Sequence, residues 1–94
     1  MSAGFDALDA VRAAVAIVCQ VEPGPLAAST RFDSLGADSL ARISIADLVE
    51  ARVAAAGGEL FLDDAGLCRM ASLGDLVTDI ESRLANHDGV AVAS

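Results

Sequence analysis

The pattern of this chain predicts an all-α bundle of three principal helices plus one short helix, with an unusually long first connection. Three observations carry that reading. Apolar residues recur at helical spacing, alanine fills the gaps between them in the first run, and proline or glycine clusters separate the runs.

Phe5, Leu8, Val11, Val15 and Val18 predict a first helix over Ala3–Cys19, with Asp6 and Asp9 near its positive end. Val21-Glu22-Pro23-Gly24-Pro25 stops it, because proline cannot continue the hydrogen-bond ladder. Leu26 to Asp38 reads as a long ordered loop with one helical turn near Thr30–Leu35, anchored in the core by Phe32 and Leu35. Compact helical domains usually keep connections shorter, so this one is expected to serve a purpose.

The second helix is expected to start at Asp38 or Ser39 and run to about Ala56, where Gly57-Gly58 stops it. Leu40, Ile43, Ile45, Leu48, Val49 and Val53 form an apolar surface broad enough for two neighbouring helices. Leu60 and Leu62 are expected as loop anchors, with Phe61 pointing the opposite way. Asp63-Asp64 begins a short helix through Leu67 and Met70, weakened by Gly66. Ser72, with Asp75 three residues on, caps the last helix, whose buried stripe is Leu73, Leu76, Val77, Ile80 and Leu84. Residues 1–85 thus form one domain and 86–94 a flexible tail.

Composition narrows the function. A chain of 94 residues buries only roughly 60–65% of its unfolded surface, which suits one simple core. Fourteen acidic residues against six basic ones, every base an arginine, give a net charge of −8. That balance disfavours nucleic acid and anionic membranes and suits docking on basic protein surfaces. No apolar run approaches the ~18 residues of a membrane span, and no basic leader precedes one, so a cytoplasmic location is expected. Cys19 and Cys68 are expected as small buried hydrophobes rather than as a disulfide or metal site.

Little else carries chemistry. His87 is the sole histidine and falls in the expected tail, which leaves a Ser-His-Asp arrangement unsupported. Asp63-Asp64 and the Asp75, Asp79, Glu81 group lack metal-loop spacing, and without lysine there is no phosphate-binding P-loop. Asp38-Ser39 by itself reads as an ordinary helix start, Asp38 capping and Ser39 in the first turn. An anion on Ser39 would lie near backbone N–H groups that have no helical acceptor.

The run Phe32-Asp33-Ser34-Leu35-Gly36-Ala37-Asp38-Ser39-Leu40 resembles the attachment-site motif of acyl carrier proteins. The resemblance continues through Ile43, Ile45, Val49, Glu50 and Val53, the Leu60 and Leu62 anchors and the Met70–Gly74 junction, covering roughly Ala3 to Leu84. It implies a carrier domain over residues 1–85, non-catalytic and monomeric. It also implies 4′-phosphopantetheine, derived from coenzyme A, attached covalently to Ser39 by a phosphopantetheinyl transferase, with Asp38 as motif neighbour. Thioester cargo would then pass among acyl-loading, condensing or tailoring enzymes docking on the second helix, with Leu40, Arg42, Ser44, Asp47 and Glu50 as the expected contact residues. The family often has an acidic stretch directly after the modified serine and glutamate at the Ser44 position. Here Ala41-Arg42-Ile43-Ser44 stands there, which points to a restricted partner set in specialised polyketide or related natural-product biosynthesis rather than general fatty-acid synthesis. The six residues Ala54–Glu59 before Leu60 also lengthen the family pattern. A peptidyl carrier and an unmodified helical interaction module are the alternatives. Gly36-Ala37-Asp38-Ser39 favours the acyl type, because peptidyl motifs usually carry a second glycine and often histidine before the serine.

Overall fold

A computed structural model describes the backbone of residues 5–93 and the side chains of residues 5–85. Four α-helices follow one another: α1 (Ala7–Cys19), α2 (Ser39–Ala55), α3 (Asp64–Arg69) and α4 (Leu73–Ala93). A 3₁₀ turn at Asp33–Leu35 interrupts the long α1–α2 connection. α1 packs against both α2 and α4, and α3 lies on α2.

α1 begins later than the periodicity predicts because Asp6 ends the extended segment: its carboxylate accepts the N–H of Asp9 at 3.1 Å. The expected start at Ala3 lies outside the described residues. Ala7, Ala10 and Ala14 are buried beside Val11 and Val15. Small side chains at those positions let α1 approach both partners. Gln20 closes the helix in the left-handed region, φ 56°, donating its N–H to Ala16 O.

The long connection is held at both faces. Arg12 donates from Nη2 to Pro23 O at 2.9 Å, tying the loop back onto α1. Phe32, buried in the core, is worth about 1.5–3 kcal/mol of transfer from water. Phe32 N–H donates to Ala71 O and Leu73 N–H to Thr30 O, a single antiparallel bridge between Arg31 and Ser72 that stitches the loop to the start of α4. Apolar periodicity gives no sign of this bridge.

α2 starts and stops where expected, but its apolar residues divide between two faces. Ile45, Ala46, Val49 and Val53 are buried, whereas Leu40 is 71% exposed and Leu48 is also exposed. At 3.6 residues per turn Leu40 lies about 140–180° around the helix from Ile45, Val49 and Val53, so it cannot share their core. Leu60 and Leu62 are buried as expected and Phe61 is 81% exposed. Asp63 caps the six-residue α3, and Leu67 fills the core below it.

Ser72 and Asp75 form the expected reciprocal cap. Asp75 N–H donates to Ser72 Oγ, and one Asp75 carboxylate oxygen accepts from the N–H groups of Ala71 and Ser72. Leu73, Leu76 and Ile80 complete the core from α4. The side chains of 86–94, expected as a tail, lie outside the described set, although α4 is helical through Ala93. The cysteines depart from expectation: Cys68 is exposed and Cys19 only half-buried, and both are free thiols. Burial raises the Cys19 thiol above its ordinary value.

Candidate functional site

Ser39 is the first residue of α2 and is exposed. Asp38 caps it: its Oδ1 accepts the Ala41 N–H at 2.9 Å and its carbonyl accepts Arg42 N–H at 3.0 Å. The N–H groups of Ser39 and Leu40 have no acceptor among the described residues, as the geometry of a helix start dictates. The Ser39 hydroxyl makes no hydrogen bond among those residues either. The loop delivers this start by a left-handed turn at Gly36, φ 69°, a conformation that other residues adopt at a cost. Buried Ala37 and Phe32 fix the turn from below.

Ser39 opens onto a shallow cleft of about 300 Å³ that Asp33, Ala37, Asp38, Arg42 and Cys68 also line. The cleft is lined by no histidine, and no hydrogen bond joins the Ser39 hydroxyl to the carboxylates of Asp33 or Asp38 that line it. Among the described residues no cluster of histidine, cysteine or acid could hold a metal ion. Ser39 thus leaves its hydroxyl exposed and uncommitted at the cleft.

Arg42 is the residue whose role sequence reasoning missed. Its side chain is only 11% exposed. Nε donates to Ala37 O at 3.3 Å, and Nη1 faces the carbonyls of Leu67, Cys68 and Met70 at 3.1, 3.1 and 2.8 Å. The guanidinium also lies 4.7 Å from the centroid of the Phe32 ring. The end of a six-residue helix leaves carbonyls short of intrahelical partners, although Leu67 O also accepts the Met70 N–H at 3.3 Å, and a cation there answers the negative end of the helix. One side chain thereby ties the presenting loop, the first turn of α2 and the end of α3 together. The signal was in the register: Arg42 falls seven and eleven residues before Val49 and Val53, within about 20° of both on a helical wheel.

The other expected contact residues divide by face. Leu40 and Asp47 are exposed and lie on one side of α2, about 20° apart, with Ser44 half-buried at its margin. Glu50 is half-buried and accepts the N–H of Leu62 at 2.7 Å, which pins the Leu60–Leu62 loop. Asp47 is therefore the one acid of α2 wholly directed to solvent.

This is a helical domain with an uncommitted serine hydroxyl at a capped helix start, beside an open cleft. The phosphopantetheine attachment site family matches residues 4–64, and the chain belongs to that family. Its members are non-catalytic carriers bearing 4′-phosphopantetheine on a serine, and they work with a phosphopantetheinyl transferase and acyl-processing enzymes. No curated protein and no solved structure matches the chain. No helix among the described residues is long and apolar enough to cross a membrane.

Proposed function

We propose that Ser39 Oγ is the acceptor of 4′-phosphopantetheine and that the protein carries acyl thioesters between enzymes of a specialised polyketide or related natural-product pathway. The observation that carries the assignment is the exposed Ser39 hydroxyl at the N-terminus of α2, opening onto the cleft. In the transfer, a bond forms between Ser39 Oγ and the pantetheine-side phosphorus of coenzyme A's pyrophosphate as the bridging P–O bond breaks and adenosine 3′,5′-bisphosphate leaves. The hydroxyl proton leaves to a base of the transferase. The attached group contributes a terminal thiol on which the cargo rides, and the tether raises the cargo's effective concentration at each active site.

Incubation with coenzyme A and a broad-specificity transferase, read by intact mass, tests this. A gain of one phosphopantetheine by the native chain and none by Ser39→Ala is the expected result. Loading with acyl or aminoacyl groups then separates an acyl from a peptidyl carrier. An absent gain, or an equal gain in Ser39→Ala, defeats the assignment.

The restricted partner set rests on the face shared by Leu40, Ser44 and Asp47. Asp47 lies about 12 Å along α2 from Ser39, leaving the first two turns of that face without an acid. Ser44→Glu places one there while leaving Arg42 in its internal contacts. It should raise the rate at which general fatty-acid enzymes accept the carrier.

A further inference from the structure

We propose that Arg42 also binds the root of the attached arm: when Ser39 carries the phosphodiester, Nη2 of Arg42 exchanges Asp33 for a phosphate oxygen. The proposal rests on Ser39 being the attachment residue and concerns what the folded chain does once it is loaded. Ser39 and Arg42 are three residues apart on a helix, hence neighbours on its surface, and both line the same cleft.

The guanidinium is only partly used. Its Nε and Nη1 are occupied by backbone carbonyls, whereas Nη2 makes no hydrogen bond among the described residues. Its nearest acid is Asp33 Oδ1 at 3.7 Å, beyond hydrogen-bond length, on a carboxylate side chain that is 79% exposed. No side-chain nitrogen or oxygen in the described structure is both buried and unpartnered, so Nη2 reaches solvent at the cleft.

Asp33 is well placed to let go. It also lies 4.0 Å from Arg31, with both side chains largely in water, and retains that partner when Arg42 turns to another anion. A phosphodiester on Ser39 would meet Nη2 on one side and the unpaired N–H groups of Ser39 and Leu40 on the other. Asp38 makes no ion pair with Arg42 among the described residues; its Oδ1 accepts the Ala41 N–H. Nη1 meanwhile stays on the carbonyls at the end of α3.

Substituting Arg42 would remove its structural contacts too, so the test uses Asp33→Asn and direct observation of the arginine. Native and Asp33→Asn chains are compared before and after transfer from coenzyme A, with loading verified by intact mass. NMR of the Arg42 side chain should show its Nη2 signals shifting on loading, with a ¹⁵N–³¹P coupling across the new hydrogen bond. Loading should raise Tm by roughly 2–6 °C in the native chain. Asp33→Asn should lower Tm in the unloaded chain and leave it unchanged or raised in the loaded one. Arg42 signals that do not move in a fully loaded sample, or an equal effect of Asp33→Asn on both states, overturn the exchange. A sample that gains no mass instead overturns the Ser39 assignment, and this inference falls with it.

Discussion

Replacing Arg42 with alanine removes an internal strut, and the geometry sets the size of the loss. The two protons of Nη1 face three carbonyls, so at most two good hydrogen bonds form there at once, with the Ala37 contact as a third. Bonds from a charged donor contribute about 1.5–3 kcal/mol each. These three share one guanidinium at the edge of solvent, so their sum overstates the effect. Stacking on Phe32 adds about 0.5–1 kcal/mol. We expect Arg42→Ala to cost about 2–4 kcal/mol, against a total stability of roughly 5–14 kcal/mol for a chain of this length. The domain therefore stays folded at room temperature, with Tm lower by roughly 10–25 °C. Arg52→Ala is the internal comparison. Arg52 pairs with Asp9 at 3.1 Å, but both side chains are about half exposed, and the loss should stay under about 1 kcal/mol. Arg42→Lys keeps the charge but cannot span Ala37 and the end of α3, so it should recover less than half of the loss. Urea and thermal melts followed by far-UV circular dichroism measure all three. Equal costs for Arg42→Ala and Arg52→Ala, or full recovery in Arg42→Lys, would refute the strut.

Gly74→Ala should destabilise by about 1–3 kcal/mol in the same melts, because the new methyl would stand 2.9 Å from Ala28 O, the acceptor of Gly74's own N–H. That clash outweighs the gain of up to about 1 kcal/mol that alanine ordinarily brings to a helix, so a stabilised variant would contradict the close approach. The Asp75 carboxyl is held below its ordinary value by the N–H of Ala71 first and then of Ser72, with slight desolvation opposing and Arg31 helping. A lowered folded-state value means that its contribution is complete above the usual carboxylate range and disappears as pH falls through the lowered value. Asp75→Asn should accordingly lose stability at neutral pH and show a shallower further loss on acidification, and parallel acid curves for the two chains would count against this.

What could be read from the sequence was what period and punctuation encode. The start of α2 at Asp38-Ser39, its stop at Gly57-Gly58, the Leu60 and Leu62 anchors, and the Ser72–Asp75 cap all follow from local signals, and the structure holds each of them. The bridge between Arg31 and Ser72 did not, because it joins backbone groups forty-one residues apart and places no demand on either side chain. The breadth of the apolar surface on α2 predicts two neighbouring helices, but it does not say which residues stay in water: Leu40, opposite the Val49 and Val53 stripe, is exposed.

Arg42, expected at a docking surface, lies largely inside the fold. Sequence alone suggests a positive charge on a docking surface where the acidic stretch is missing. In the fold that charge faces inward, where α3 carbonyls and an exposed aspartate surround it, and the surface beside Ser39 is set by Leu40 and Ser44 instead. The exposed face of the second helix therefore carries an apolar residue at its first turn and its first acid at Asp47. Selectivity, on this reading, arises from the acid missing at Ser44 more than from the arginine present at Arg42. Substitutions at the two positions then separate cleanly: Ser44→Glu should alter which enzymes use the carrier and leave its melting temperature nearly unchanged, whereas changes at Arg42 act first on the fold.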